Sequence, residues 1–425
     1  MEKEPKYILE EEELIVGESP GWTRTFFKAF PAFKHKNYQL FFTGQLTSLV
    51  GTWMQIVALG WLVLELTNSA FWVAFIQGLD LLPVFLISLP AGMLADRIEK
   101  KRIILITQII AMLIAFLFAA LTQFQMINLV LIFALTLLSG IIHGLEMPAR
   151  QSFIFEVVGK KDLSSAIALN TATFNSARVI GPSIAGILIA IFNVPIAFFL
   201  NGVSFLAVII ALFKIKVKKI TINASGDNPI SLLKEGVIFS FANPVIRTLL
   251  FIVTFNAIVP WSTNSLMPVI AKQIFHVQSE GFGLLLSATG LGALAGAIFV
   301  SSMSHRFTVH NILAIMSFLA GLSLFLFALI QNFFIGLVLL FFIGFSLVTQ
   351  TSLANSTIQK ATPDDMRGRV MGVYGIMFLG MIPLGSMAMG TLAGLFGLAT
   401  TLRIIGILTL AGAFLYTFFF KKRLG

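Results

Sequence analysis

The chain of 425 residues is too apolar to fold as a water-soluble protein. Hydrophobic residues make up 57% of it and charged residues only 11%, whereas a soluble domain carries about 25% charged residues. Cysteine is absent from the sequence, which excludes a disulfide framework, a cysteine-ligated zinc site and a thiol nucleophile. These numbers predict an all-α polytopic membrane protein.

The first residues do not have the pattern of a cleaved signal peptide. Residues 1–20 contain an acidic run at 10–13 and lack a basic flank followed by an apolar stretch. We therefore expect the first membrane span to direct insertion by itself.

Twelve apolar runs, separated by short polar, glycine or proline segments, follow one another along the chain. A helix needs roughly 20 residues to cross the hydrocarbon core of a bilayer, and the runs have about this length. Numbered as spans 1 to 12, they are 38–66, 71–95, 103–123, 127–148, 163–192, 195–213, 244–270, 282–303, 312–330, 333–354, 370–395 and 398–420.

The positions of the basic residues predict the orientation of the chain. Of the 29 Lys and Arg, 26 lie in the N-terminal segment, beside the loops after even-numbered spans, or in the C-terminal tail. Lys272 and Arg403 lie on the other side, and Arg178 lies inside span 5. Because cytoplasmic loops carry an excess of Lys and Arg, both termini are expected in the cytoplasm. The net charge of +10 is thus a topology signal, and no nucleic-acid partner is expected.

The second half of the chain weakly repeats the first half at a shift of 204 residues. Four identical pairs align: Gly140 with Gly344, Ser152 with Ser356, Gly181 with Gly385, and Gly186 with Gly390. Repeats of this kind place a substrate site between two halves that rock against each other.

This repeat predicts two six-helix halves joined by a linker. The expected divisions are a cytoplasmic tail with the acidic run at 1–36, an N-terminal half at 37–213, a cytoplasmic linker with an amphipathic helix at 214–243, a C-terminal half at 244–420 and a cytoplasmic tail at 421–425.

The loop between spans 2 and 3 carries a family motif. Residues 92–102 read GMLADRIEKKR, which resembles the loop signature G-x-L-A-D-R-x-x-x-K-R of the major facilitator superfamily. The resemblance implies the twelve-helix fold of that superfamily. It also implies a gating loop in which Gly92, Asp96, Arg97 and Arg102 stabilise one access state through charge pairs and helix ends.

Span 5 carries a second motif, because residues 177–186 read ARVIGPSIAG. This segment is similar to the Gly-Pro motif of superfamily exporters that work as antiporters. By that resemblance, Gly181, Pro182 and Gly186 shape a bendable helix at the interface between the halves.

Further segments, among them 37–51, 66–69, 148–150 and 367–372, resemble a bacterial branch of the superfamily that includes macrolide-efflux and enterobactin-type siderophore exporters. The likeness runs from about residue 33 to residue 420. It implies a secondary active transporter of the bacterial inner membrane, and it leaves the substrate unidentified because relatives carry different cargo.

Ionisable side chains inside the spans are functional candidates, because charge is costly at mid-membrane. Asp80 in span 2 and Arg178 in span 5 lie at similar predicted depths and could pair within the N-terminal half. One interpretation gives Asp80 a role in proton coupling or cation recognition, with Arg178 tuning its pKa or holding an anionic substrate group. The other is a fixed buried pair.

Three further ionisable residues are candidates. His143 and Glu146 lie three residues apart on one face of span 4, which suits a proton-accepting role. In the alternative interpretation, Glu146 pairs with Arg150 and His143 only hydrogen-bonds. Glu65, near the outer end of span 1, is either an outer-gate residue or simply solvated. Neither a metal site nor a cofactor is expected.

Polar and aromatic residues on the spans that line the cavity in this superfamily form a second group of candidates. They are Gln45, Ser48, Trp53 and Gln55 on span 1, Asn256, Trp261 and Asn264 on span 7, and Gln350 and Asn355 on span 10. This mixture suits an amphipathic, partly aromatic ligand better than a sugar.

The sequence therefore favours proton-coupled efflux of a small amphipathic compound, either a drug-like molecule or a siderophore. Import or facilitated diffusion of a siderophore or other metabolite and lipid flipping are the alternatives. An enzyme is not expected, because the five His are scattered through different spans and loops. A primary pump is not expected either, because no phosphate-binding loop is recognised in the sequence. The expected partners are the small-molecule substrate, protons and the lipid bilayer, and the protein is expected to be a monomer.

Overall fold

The computed structural model describes residues 27–84, 86, 87, 91, 98–216, 229–303 and 308–419. Within these ranges the chain forms helices and short connections, and none of the described residues lies in a β-strand. The all-α prediction is therefore confirmed for the described chain.

The N-terminal half contains six spans. Their helices are Lys36–Thr67 for span 1, Ala70–Leu79 at the start of span 2, Lys100–Gln123 for span 3, Leu129–Phe192 for spans 4 and 5, and Pro195–Lys214 for span 6. A short 3-10 helix, Pro31–Lys34, precedes span 1.

The 64 helical residues Leu129–Phe192 hold two spans rather than one. A straight helix of this length would measure about 96 Å, about three times the thickness of the hydrocarbon core. Gly159 interrupts it with a φ of 69° and a ψ of 176°, a conformation that glycine adopts without steric cost. Gly159 therefore separates span 4 from span 5.

The C-terminal half follows a linker helix, Pro229–Ala242. Its spans are Pro244–Ile258, Trp261–Leu266 and Met267–Gln273 for span 7, Ser279–Met303 for span 8, Val309–Phe327 for span 9, Phe333–Lys360 for span 10, Arg367–Phe378 and Met381–Phe396 for span 11, and Leu398–Phe419 for span 12.

Length and apolarity support twelve crossings of the membrane. Among the described residues, ten helical stretches are long and apolar enough to span a bilayer. One of them, Leu129–Phe192, holds two spans, and the shorter apolar helix Ala70–Val84 supplies another. The predicted count of twelve follows from these helices.

Asparagine side chains begin several helices by accepting backbone hydrogen bonds. Asn128 Oδ1 accepts from the Leu131 backbone N–H at 2.9 Å, and Asn243 Oδ1 accepts from the Val245 N–H at 2.9 Å. Such caps satisfy N–H groups that have no partner in the first turn of a helix. They fix where spans 4 and 7 begin.

Contacts between loops identify one end of the helical bundle. Lys101 at the start of span 3 donates to the Ile215 carbonyl at 2.7 Å. Asn37 at the start of span 1 donates to the Lys216 carbonyl at 3.0 Å. We call the end that carries these residues and the linker the linker end, and the opposite end the far end.

Small residues bring the two halves together toward the far end. A Cβ on Gly186 of span 5 would lie 2.6 Å from the Ser279 carbonyl oxygen of span 8, so the two backbones approach closely. Ser183 Oγ lies 2.7 Å from Ser287 Oγ, and Ser287 Oγ donates to the Val179 carbonyl at 2.7 Å. These contacts join span 5 to span 8.

Spans 2 and 11 form the second line of contact between the halves. A Cβ on Gly78 would lie 3.2 Å from Pro383 Cα, and a Cβ on Gly390 would lie 2.7 Å from the Ala74 Cβ. Both glycines are needed where two helices run this close together.

The apolar core shows which end of the bundle is closed. One buried cluster, which includes Trp61 of the N-terminal half and Phe282 of the C-terminal half, is shared by the two halves toward the far end. At the linker end each half has a separate cluster, one around Phe153 and one around Leu249. The structure is therefore the state in which the far end is closed.

We expect Ser183→Cys combined with Ser287→Cys to form a disulfide under mild oxidation, since the two Oγ atoms are 2.7 Å apart and paired cysteines need Cβ atoms about 4 Å apart. The native chain has no cysteine, so no native thiol can form a competing disulfide. A protease site inserted in the linker provides the readout, because the cleaved halves migrate together on a gel until reductant is added. Halves that separate in the oxidised double variant, or remain joined in either single variant, would contradict the observed packing.

Candidate functional site

Arg178 lies where the two halves meet at mid-depth. It precedes Phe192, the last residue of span 5, by fourteen residues, or about 21 Å along the helix. Its guanidinium carbon is 5.6 Å from the ring centre of Trp53 in span 1 and 4.9 Å from that of Trp261 in span 7. Both distances fall within the range of cation–π attraction, about 6 Å. Arg178 thus contacts one tryptophan from each half.

Two glycines determine the position of Arg178. A Cβ on Gly181 would lie 2.6 Å from the Trp53 Cβ, and a Cβ on Gly290 of span 8 would lie 3.0 Å from the Arg178 carbonyl oxygen. Span 5 therefore packs directly on spans 1 and 8 at this level, because the side chains that would separate them are absent.

Other aromatic rings extend this site on both sides. Phe174 packs edge-on against Trp53 at 5.7 Å, and Phe378 packs edge-on against Trp261 at 5.9 Å. We call Trp53, Phe174, Trp261 and Phe378 the aromatic cluster. The indole N–H of Trp261 is buried and has no hydrogen-bond acceptor among the described residues.

The predicted pairing of Asp80 with Arg178 is wrong. Within the described part of the chain, Arg178 contacts tryptophan rings and makes no ion pair with Asp80. Asp80 instead faces His143 of span 4, with 3.8 Å between Oδ1 and Nδ1. Similar depth along two helices did not determine which helices are neighbours, since Asp80 and Arg178 face different spans.

The Asp80–His143 pair lies where span 4 packs closely on span 2. A Cβ on Gly140 would lie 2.5 Å from the Asp80 carbonyl oxygen, so this glycine allows the approach. The side chains of Asp80 and His143 are 26% and 30% exposed. A carboxylate and an imidazole at this distance can exchange a proton through one water molecule or a small movement.

Glu146 does not share this site, although it lies one turn from His143. Its side chain is 1% exposed, accepts a hydrogen bond from Gln108 of span 3 at 2.8 Å and pairs with Arg150. The interpretation in which Glu146 pairs with Arg150 is confirmed. Gln108 was not anticipated, although a glutamine within the apolar run of span 3 is a visible signal.

Two groups of predicted cavity residues bond to neighbouring helices. Gln55 accepts a hydrogen bond from Asn201 of span 6 at 2.8 Å. Gln350 accepts from Asn256 at 3.1 Å and from Ser317 of span 9 at 2.8 Å. These side chains therefore join helices within one half each.

Of the remaining candidates, only Asn264 has a described hydrogen bond to a member of the aromatic cluster. Gln45 and Ser48 are buried in span 1, Asn264 donates to the Trp261 carbonyl at 3.0 Å, and Asn355 accepts from Gln359 near the linker end. Glu65 is exposed at the far end and accepts a hydrogen bond from the Trp61 indole at 2.7 Å.

Of the predicted gating loop, Gly92, Asp96 and Arg97 lie outside the described residues, and Arg102 is exposed at the start of span 3. Nearby, Lys100 pairs with Glu156 at 3.3 Å in a buried contact. Burial raises the pKa of the Glu156 carboxyl, Lys100 opposes that rise, and Glu99 adds to it.

The Gly-Pro motif lies at the junction of three spans. Gly181 contacts span 1, and Pro182 and Gly186 contact span 8 of the other half. Ser183, between them, was not singled out from the sequence, yet it hydrogen-bonds across the halves. Among the described residues, no group of three or more His, Asp or Glu side chains could hold a metal ion.

Comparison with known proteins identifies relatives over nearly the whole length. A protein family described as "Transmembrane secretion effector" matches residues 27–423. The staphyloferrin A transporter of Staphylococcus aureus is 28% identical over 388 residues, covering 90% of this chain and 96% of the relative. The multidrug efflux pump Tap of Mycolicibacterium fortuitum is 27% identical, covering 84% and 89%.

More distant matches agree. The enterobactin exporter EntS of Escherichia coli is 24% identical over 80% of this chain and 81% of the relative. Among solved structures, a POT family transporter superposes with a TM-score of 0.73 at 12% identity, covering 91% of this chain and 96% of that chain. A bacterial homologue of the lysosomal transporter Spinster gives 0.70 at 13%, covering 92% and 98%. These structures establish the fold alone.

We expect Glu146→Ala to destabilise the protein by about 3 kcal/mol, because it leaves Arg150 and Gln108 partly buried without their shared acceptor. Glu146→Gln keeps an acceptor oxygen, so it should cost less than half as much. Thermal or denaturant unfolding of the purified variants measures both. Equal losses in the two variants would show that the hydrogen bonds contribute nothing beyond the negative charge.

Proposed function

This chain belongs to the transmembrane secretion effector family of the major facilitator superfamily, and on that premise we propose that it is a proton-coupled exporter of a small amphipathic compound. Multi-pass transporters of this fold work by alternating access, with one half rocking against the other around a central site. The proposed location is the bacterial inner membrane, with the protein acting as a monomer.

The proposed orientation places the linker end and both termini in the cytoplasm. The excess of Lys and Arg in the linker and in the loops at that end supports this orientation. With this orientation, the end at which the two halves share one apolar cluster faces the outside of the cell, and the end at which their clusters are separate faces the cytoplasm. An arrangement of this kind is the one in which an exporter takes up its cargo.

The observation that carries the proton-coupling proposal is the Asp80–His143 pair. Two titratable side chains face each other at 3.8 Å within spans 2 and 4, where an ionisable group is costly unless it has a function or a partner. Gly78, two residues before Asp80, packs against Pro383 of the other half. A change of charge on Asp80 therefore occurs next to a contact that must open and close.

The relatives support the substrate class. Their names describe a staphyloferrin A transporter, a multidrug efflux pump and an enterobactin exporter. Siderophores and drugs both combine polar groups with apolar surface, which the aromatic cluster beside Arg178 suits. We therefore propose a siderophore or a drug-like compound as cargo.

Direction and coupling can be tested in everted membrane vesicles, whose interior corresponds to the outside of the cell. The cargo is chosen as the iron chelator or drug that most raises the unfolding temperature of the purified protein. We expect this compound to accumulate in energised everted vesicles and to release protons from them, as reported by a pH-sensitive dye. Accumulation only in right-side-out vesicles would indicate import, and a phospholipid as the transported species would indicate a flippase.

Asp80→Asn should abolish proton release and uphill accumulation while leaving downhill exchange of the compound, because asparagine has a similar shape and cannot carry the proton. Glu65→Gln is the matched control, since Glu65 is exposed at the far end, and it should behave as the wild type. Full proton-driven accumulation by Asp80→Asn would eliminate the coupling role of the Asp80–His143 pair.

A further inference from the structure

We propose that Arg178 and the aromatic cluster form the binding site for the carboxylate of an aromatic, amphipathic compound. This inference rests on the proposed transport function and narrows its substrate class. It depends on four features of the site: its charge, its unused donors, its rings and its place between the halves.

Among the described residues, no group around Arg178 neutralises its charge. Tryptophan rings attract a cation through their electron-rich faces, but they carry no net charge. Among the described residues, Arg178 has no ion pair and no hydrogen-bond acceptor. A positive charge at mid-membrane without a counter-ion is costly, so an anion bound there would be strongly stabilised.

The hydrogen-bond donors of the site match a carboxylate. A guanidinium carries five N–H donors in a planar fork that binds a carboxylate through two parallel hydrogen bonds. The buried indole N–H of Trp261 has no acceptor within the described chain and offers a further donor, on a ring whose centre lies 4.9 Å from the guanidinium carbon of Arg178. An anion with two oxygens satisfies donors that the protein leaves unsatisfied.

The rings indicate what the rest of the ligand looks like. Phe174 is exposed beside Trp53, and Phe378 is partly exposed beside Trp261. Aromatic ligands pack edge-on or offset on such rings. The acyl chain of a lipid cannot form ring–ring contacts with this cluster. A cationic drug is repelled by the positive charge of Arg178. The site therefore favours an aromatic body attached to a carboxylate over a phospholipid or a cation.

The position of the site connects it to transport. Arg178 and Trp53 belong to the N-terminal half and Trp261 to the C-terminal half, so a ligand held by all three contacts both halves. Between Arg178 and the far end, the two halves share one apolar cluster. Toward the linker end, each half has a separate apolar cluster. A carboxylate compound entering from the linker end would meet Arg178 at the closed end of its path.

The test compares three ligands with one aromatic body: pyrenebutyrate, the neutral pyrenebutanamide and the cationic pyrenebutyl-trimethylammonium. Saturable binding to the full-length protein in detergent is measured by energy transfer from tryptophan to pyrene. We expect the carboxylate to bind roughly tenfold or more tightly than the amide, the equivalent of one charge-assisted hydrogen bond, and the cation to bind least.

Variants assign this preference to the site. Arg178→Gln should remove the preference for the carboxylate and leave the affinity for the amide unchanged. Arg178→Lys should retain part of it, because lysine keeps the charge and loses the planar fork. Arg403→Gln, at an exposed arginine of span 12, is the matched control and should keep the full preference. If Arg178→Gln does not fold, the affinity ratios of the three ligands for the wild type and for Arg178→Lys still test the proposal.

Several results would overturn the proposal: equal binding of carboxylate and amide, a preference for the cation, a carboxylate preference that survives Arg178→Gln, no saturable binding of any probe, or displacement of pyrenebutyrate by phosphatidylglycerol at equal concentration. Binding in detergent needs neither a gradient nor a direction. A carboxylate preference without proton-driven accumulation would therefore refute the exporter proposal and leave this one standing, and the reverse result would refute only this one.

Discussion

The hydrocarbon interior of a membrane does not solvate charge, and this constraint governs the placement of polar groups throughout the molecule. Glu146 is buried because Arg150 and Gln108 satisfy it. At the linker end, outside the predicted spans, Lys100 and Glu156 are likewise buried only as a pair. Arg178 lies between the faces of Trp53 and Trp261, and no acidic partner is found for it among the described residues. Binding of a ligand or a proton has its largest effect on the free energy of the protein at a buried polar group that lacks a full set of partners.

The contact between the halves is built from interactions that are individually weak. A hydrogen bond such as that between Ser183 and Ser287 contributes on the order of 1 kcal/mol, and the glycine contacts of Gly186 and Gly78 contribute through dispersion over a small area. The separate apolar clusters at the linker end stabilise each half by itself. Each half thus has a core of its own at this end, which suits the proposed alternating access, in which the interface opens while the halves stay intact.

Apolar runs predict the spans well because the bilayer demands about the same length of hydrophobic helix everywhere. The sequence could also identify Asp80 and Arg178 as unusual, since charge inside a span is conspicuous. It could not identify their neighbours: depth along a helix says nothing about which face of which helix lies opposite, and Asp80 meets His143 instead of Arg178. The same limit applies to Gln55, whose partner Asn201 lies on span 6. Only packing determines these pairs.

A ligand or proton shifts a conformational equilibrium only through its different affinity for the two states. Arg178 and Asp80 both stand next to contacts between the two halves. Arg178 touches Trp261 of the other half directly, so a carboxylate bound there changes the energy of that contact. Asp80 lies one step away, two residues from Gly78, which packs against Pro383. In the proposed mechanism, substrate and proton act on two separate lines of contact between the same halves, spans 1, 5, 7 and 8 for the substrate and spans 2 and 11 for the proton. In that mechanism the halves move as units, so a change at either line of contact alters the free energy of opening both.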